Sequence, residues 1–232
     1  MAAVSAEGAL QQKRPLRVLG LHGWRTSGRI LKIQTLYMAK QMGEHVEMVC
    51  IDACHPSSGA PYGVVTEYFG ADQSNTFEWW DFQKNEETGE WNYAGAEESL
   101  EYLDKKVKEL GPFDLVYGFS QGTALITLYI AMLQERKQEV PFRGVVLTGG
   151  VYPRTVPFNP AFDFDSSKVD ILSLHVMGEK DRVIDRSKVL LSYYNESKRS
   201  TLTHPAGHQP PGGGQKGCVA EIINWLKRYD FI

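Results

Sequence analysis

Five residues, Gly118-Phe119-Ser120-Gln121-Gly122, constrain the fold more than any other stretch of the chain. A short apolar run with strand character, Phe113-Asp114-Leu115-Val116-Tyr117, precedes them. Residues 123–133, apolar and of helical length, follow. A strand that becomes a helix within so few residues requires a tight turn. Glycines two residues either side of Ser120 let the two elements approach without side-chain clashes. In such a turn the serine takes a strained backbone conformation, and its hydroxyl stands clear at the carboxyl edge of a sheet. The Gln121 N–H then lies at the start of a helix, where developing negative charge is stabilised.

The rest of the chain supplies alternating strands and helices. Residues 16–22 and 46–51 read as strands, with an amphipathic helix over 30–42 between them, closed by Gly43. A helix is expected over 95–110. Glu97 and Glu98 in its first turn and Lys105, Lys106 and Lys108 near its end suit the helix dipole. Residues 142–148, 169–177 and 200–204 read as further strands. Helices are expected over 183–195 and 215–229, and an irregular segment over 151–168. The near-continuous apolarity of 142–148 suits a parallel strand covered on both faces. Such alternation implies right-handed crossovers and a doubly wound, mostly parallel sheet of about six core strands with helices on both faces.

Residues 54–93 break this periodicity. They carry Tyr62, Tyr68, Phe69, Phe77, Trp79, Trp80, Phe82, Trp91 and Tyr93. A stretch this long without regular elements is expected to be a lid or binding loop. Tyr68, Phe69, Trp79 and Trp80 are the expected substrate-binding residues, lining an apolar pocket above Ser120. Residues 84–90 form the expected exposed tip.

The length, 232 residues, fits one domain over 15–232 that buries its own core. Residues 1–14 lack the apolar core of a secretory signal and are expected to be a disordered lead. A formal charge of −3 with no basic block argues against a nucleic-acid partner. No run approaches the roughly 18 apolar residues of a membrane span. Three cysteines, Cys50, Cys54 and Cys218, leave one odd and show no metal-ligand spacing. A reducing compartment, the cytoplasm or else the nucleus, is the expected location. Neither metal nor cofactor is called for.

A serine hydroxyl is a poor nucleophile near neutral pH and needs a base that is itself oriented by a carboxylate. Strand, G-x-S-x-G and helix form the nucleophile elbow of α/β-hydrolases, whose acid and base follow the serine in chain order. After residues 169–177 comes Gly178-Glu179-Lys180-Asp181-Arg182-Val183-Ile184-Asp185. Asp181 is the expected acid, with Asp185 and Glu179 as rivals and helix capping as its structural alternative. After residues 200–204 comes Pro205-Ala206-Gly207-His208. His208 is the expected base and His204 its rival. The second oxyanion donor is expected from Leu21-His22-Gly23-Trp24, through the Trp24 N–H paired with that of Gln121. His22 and Gly23 shape this loop; Arg25 and Ser27 are possible substrate contacts.

These residues together carry a family resemblance. Leu21-His22-Gly23 before an early helix, Asp52 after the second strand, Tyr68-Phe69-Gly70 and Trp79-Trp80 in the insertion, Gly111-Pro112-Phe113-Asp114 leading into the elbow, and Gly207-His208 near the end resemble the FSH family of serine hydrolases. The resemblance covers about residues 16–228. It implies an α/β-hydrolase fold and carboxylesterase chemistry on acyl esters, with a small-molecule ester as substrate, and it places nucleophile, acid and base on Ser120, Asp181 and His208. The chain departs from the family pattern at Trp24-Arg25-Thr26. A thioesterase, lactonase or acyltransferase would use the same three residues. A ligand-binding receptor on the same scaffold is the alternative outside enzymes. Oligomeric state is not legible.

Overall fold

The protein is described by a computed structural model covering residues 14–84, 87, 89, 91–152 and 168–232. In chain order β1 (Leu16–Leu21) is followed by α1 (Gly28–Gln34), α2 (Leu36–Met42) and β2 (Val46–Ile51). The insertion holds β3 (His55–Pro56), α3 (Gly63–Phe69), β4 (Phe77–Glu78), β5 (Asp81–Lys84) and β6 (Trp91–Ala94). Then come α4 (Ala96–Leu110), β7 (Leu115–Phe119), α5 (Gln121–Glu135) and β8 (Gly144–Thr148). The chain closes with β9 (Leu172–Gly178), α6 (Ile184–Ser192), β10 (Arg199–His204) and α7 (Lys216–Arg228).

Six strands form one sheet in the order β10-β9-β8-β7-β1-β2, and every neighbouring pair is parallel. The chain starts at β1, moves outward to β2, and then returns to the other side of β1 with β7. That reversal is a topological switch point, the place where open α/β sheets hold ligands at the carboxyl ends of their strands. Ser120 follows β7 directly at this point.

Alternate residues of the strands feed two cores. Leu19 and Leu21 pack with α4 and α5, whereas Leu16 and Val18 pack with α1, α2 and α7. Helix α5 is buried along nearly its whole length, from Gln121 to Ala131 and at Leu133. Each of its fully buried Leu and Ile side chains contributes roughly 1.5–3 kcal/mol. This central helix therefore fixes the position of the turn before it.

The elbow strand runs two residues further than expected, so Gly118 and Phe119 are sheet residues and the turn is confined to Ser120. The helix expected over 30–42 is divided at Thr35. Its buried hydroxyl donates to the Leu31 carbonyl at 2.9 Å, a back-bond that bends helices. The strand expected over 169–177 begins at Leu172, with only a bridge from Val169 to Tyr194 before it.

The insertion is more regular than its sequence pattern indicates. Helix α3 ends at Gly70 in the left-handed conformation. Strand β3 pairs with β4 and β5 with β6, both antiparallel. Trp79, Trp80 and Tyr93 join the same core as α4 and α5. Burying these rings is what gives the segment a fixed conformation.

The expected lead falls outside the described residues, apart from Arg14, whose guanidinium pairs with Asp114 at 2.7 Å. The expected tip lies largely outside them, as does the irregular segment between Tyr152 and Lys168.

Candidate active site

Ser120 has φ 50° and ψ −116°, a conformation that costs a non-glycine residue about 1–3 kcal/mol. The strain holds because both neighbours are anchored. The Ser120 N–H donates to the Thr148 carbonyl at 3.1 Å, and its own carbonyl accepts from the Thr123 N–H at 2.9 Å. The close fit of the first turn of α5 against β1 requires Gly122, since a Cβ there would run into the Leu21 carbonyl oxygen.

His208 Nε2 lies 2.9 Å from Ser120 Oγ, and His208 Nδ1 lies 2.7 Å from Asp181 Oδ2. A carboxylate can only accept, so Nδ1 carries the proton and the Nε2 lone pair faces the serine. The imidazole packs on Phe119, with ring centroids 5.1 Å apart. Asp181 also accepts from the Val183 N–H at 2.8 Å, so it caps the turn into α6 and holds the imidazole at once. Burial pushes the Asp181 carboxyl up. The hydrogen bonds from His208 and Val183 and the charges of His208 and Arg182 outweigh it, and the net direction is down. Asp181 is therefore held as the carboxylate that can orient an imidazole.

The rivals lie elsewhere. Asp185 is exposed and pairs with Lys188 at 3.1 Å. Glu179 accepts from the Thr203 hydroxyl at 3.3 Å. His204 is buried, and its Nδ1 accepts from the Ala206 N–H at 3.3 Å.

The loop after β1 wraps over the elbow. A Cβ at Gly23 would lie 3.3 Å from Ser120 Cβ and 3.1 Å from the Phe119 ring, so a side chain there would have to push the elbow aside by a few tenths of an ångström. His22 holds this loop from beneath. Its Nε2 accepts from the Ala53 N–H at 3.0 Å, which leaves Nδ1 to donate to the Gly23 carbonyl at 2.7 Å. Burial lowers the His22 pKa to about 4, so the ring stays neutral near pH 7. The Trp79 indole N–H donates to the His22 carbonyl at 2.9 Å.

Gln121 clips the insertion to the elbow. Its side-chain oxygen accepts from the Trp79 N–H at 3.0 Å, and its amide donates to the Trp80 carbonyl at 2.8 Å. The Ser99 hydroxyl donates to the Trp79 carbonyl. The Gln121 N–H opens α5, where the first N–H groups have no acceptor within the helix. Trp24, from the loop after β1, and Gln121, from α5, line the same cavity as Ser120.

A cavity of about 930 Å³ opens above Ser120 and His208. Three of the four expected substrate-binding residues, Tyr68, Phe69 and Trp80, line it. Trp79 does not. It is fully buried, and its indole is committed beneath the His22–Gly23 loop, so its expected role is corrected to support of that loop. Arg25 and Ser27 are likewise structural. Arg25 pairs with the buried Glu78 at 3.2 Å, and Ser27 caps α1. The sequence reading missed Tyr62, Val64, Val65, Tyr152, Arg182 and Arg186 in the cavity wall. The pairs Val64-Val65 and Tyr68-Phe69, four residues apart and followed by Gly70, are the helical signal that would have found part of this wall.

Among the described residues, no group of three His, Cys, Asp or Glu side chains is placed to hold a metal, and no helix is long and apolar enough to cross a membrane.

Sheet topology and the elbow define the class, an α/β-hydrolase fold carrying a serine-centred site. The chain belongs to the family described as Serine hydrolase (FSH1), whose model matches residues 11–215, and it is a hydrolase. It is 34% identical to Esterase OVCA2 of Danio rerio, over 93% of this chain and 98% of the relative. It is 31% identical to Esterase OVCA2 of Xenopus tropicalis, over 97% and 98%. Among solved structures, the crystal structure of esterase PE8 superposes with a TM-score of 0.61 at 18% identity, covering 90% of this chain and 92% of that one. At that identity the likeness concerns the fold.

Proposed function

We propose that the protein is a serine carboxylesterase that hydrolyses small acyl esters through Ser120, His208 and Asp181. The observation that carries this reading is the continuous hydrogen-bonded chain from Ser120 Oγ through His208 to Asp181, at 2.9 and 2.7 Å, at the floor of an apolar cavity. Its volume of about 930 Å³ is in the range of small-molecule sites. The relatives named as esterases support the same class of reaction.

In this mechanism His208 Nε2 takes the Ser120 proton as Oγ attacks the ester carbonyl. Asp181 holds the imidazole in the tautomer that leaves Nε2 free and stabilises the imidazolium that forms. The Trp24 and Gln121 N–H groups receive the tetrahedral oxyanion, each contributing about 3–4 kcal/mol. His208 then protonates the leaving alkoxide, and water, activated by the same imidazole, releases the acyl group from Ser120. Tyr68, Phe69 and Trp80 offer the substrate an apolar surface. His208 acts as the base through the Nε2 lone pair that faces Ser120 Oγ.

The test is a series of p-nitrophenyl esters of increasing acyl length, with matched thioesters, on wild type and Ser120→Ala. The proposal expects oxoester turnover that Ser120→Ala abolishes. Faster turnover of the matched thioesters reassigns the enzyme as a thioesterase. Retention of ester turnover by Ser120→Ala removes the serine from the reaction.

A further inference from the structure

The wall of the cavity has a one-sided charge. Arg182 and Arg186 line it together with Ser120 and His208, and no Asp or Glu does so among the described residues. We infer that the cavity recognises an anionic oxygen group on its substrate, a carboxylate or its equivalent, through these two arginines. The inference rests on the serine-esterase reading and names the substrate class for that site.

Arg182 directly follows Asp181 in the loop between β9 and α6, and Arg186 lies in the first turn of α6. No carboxylate within 4.0 Å pairs with either guanidinium among the described residues. Arg25, also near the elbow, shows the contrast: Glu78 neutralises it at 3.2 Å. The acidic neighbours of the two arginines are committed elsewhere. Asp181 is held by His208 and the Val183 N–H, and Asp185 pairs with Lys188. Asp181 is the one carboxylate beside them, so the two arginines leave this side of the cavity with an excess of positive charge.

Arg182 is also held in place without an acid. Its guanidinium stands 4.7 Å from the centre of the Tyr62 ring, which in turn meets Trp24 edge-on at 5.6 Å. A cation seated on an aromatic face keeps its N–H groups available at the ring's rim. Arg186 is half-buried, so its charge is less screened than that of a fully exposed side chain. Guanidinium groups present forked donors that fit carboxylate or phosphate oxygens. Tyr68, Phe69 and Trp80 supply the apolar part of the same wall. The combination suits an amphipathic ester with an apolar body and one anionic end.

The anionic end belongs either to the acyl part or to the alcohol part of the ester, and two pairs of substrates separate these. In the acyl arm, mono-p-nitrophenyl glutarate is compared with p-nitrophenyl pentanoate. In the alcohol arm, 3-acetoxybenzoate is compared with 3-acetoxybenzamide. The readout is the ratio of kcat/KM, anionic over neutral, for wild type, Arg182→Gln, Arg186→Gln and Arg186→Lys at low and high salt. With Arg182 exposed and Arg186 half-buried, wild type should favour the anionic ester by roughly tenfold in one arm, and that preference should shrink at high salt. Each Gln substitution should lower the ratio several-fold, and Arg186→Lys should restore part of it, because a point charge remains without the fork. A ratio at or below one in both arms overturns the inference. A preference unchanged by both Gln substitutions overturns it equally. Turnover of neutral esters without anionic preference leaves the esterase reading standing and removes only the arginine subsite. No turnover of any ester, with no serine labelling by a fluorophosphonate, removes the esterase reading itself.

Discussion

Gln121 offers the most informative perturbation, because its side chain joins the elbow to the insertion through two buried hydrogen bonds, to the Trp79 N–H and the Trp80 carbonyl. Replacement by Leu leaves both main-chain groups without partners in a core that excludes water. A buried unsatisfied group costs about 1–3 kcal/mol, so Gln121→Leu should destabilise the protein by about 3 kcal/mol, a large share of a typical 5–15 kcal/mol. Gln121→Glu gives a sharper test. When protonated, the carboxyl can accept from Trp79 and donate to Trp80 and so reproduce both bonds. When ionised, it is a buried charge facing a carbonyl oxygen. Its folded-state pKa should therefore rise above the ~4.3 of an unfolded glutamate, by on the order of 3 units. A raised acid pKa means that the folded state binds the extra proton. The variant should be near wild type below about pH 4.3 and lose about 4 kcal/mol relative to it as pH climbs through the folded pKa. Urea unfolding of wild type and variant across pH 4 to 8 measures the difference directly. A gap between the two that does not widen with pH would refute the assigned bonds.

Three further outcomes are expected. Gly122→Ala should cost about 1–3 kcal/mol or more by driving a Cβ into the Leu21 carbonyl, read as a lowered thermal midpoint together with lost ester turnover. Asp181→Asn should keep the fold but lower kcat on the order of 10³–10⁴-fold, because an amide favours the wrong imidazole tautomer; circular dichroism and steady-state kinetics separate the two effects. His22 and His175, lowered by burial to about 4 and about 3, stay neutral in the folded state while the unfolded chain takes up protons below about 6.5. Stability from both is fully present above pH 6.5 and falls as pH drops toward 4, by about 3 kcal/mol each at pH 4.5, and urea midpoints constant from pH 7 to 4.5 would contradict this.

The elbow was legible because its constraint is local: only a strand–turn–helix junction explains glycines spaced around Ser120 between two apolar runs. Asp181 and His208 were legible because parallel topology orders the loops at the sheet's carboxyl edge, and each of the two relevant loops offers few titratable side chains. Trp79 and Trp80 were not separable by sequence. They are adjacent and identical, and only the packing of the insertion at the bend between β4 and β5 decides that Trp80 meets the cavity while Trp79 supports the His22–Gly23 loop. Helix α3 is seven residues long and has no side-chain N-cap, so its one i, i+4 repeat, Val64-Val65 and Tyr68-Phe69 before Gly70, is a weak signal in a long aromatic stretch. The division at Thr35 depends on a side-chain hydroxyl choosing the Leu31 carbonyl, which apolar spacing does not encode. Arg182 and Arg186 carry nothing in the sequence that separates a cavity arginine from a solvated one; the packing of the loop after β9 and of α6 brings them to the cavity wall.

The central claim is that Ser120 is the nucleophile activated by His208. Intact-mass spectrometry after treatment with a fluorophosphonate, followed by peptide mapping, tests it most directly. The account predicts one adduct per wild-type chain, located on Ser120, strongly slowed in His208→Ala and absent in Ser120→Ala. An adduct on another serine, or its persistence in Ser120→Ala, would contradict it.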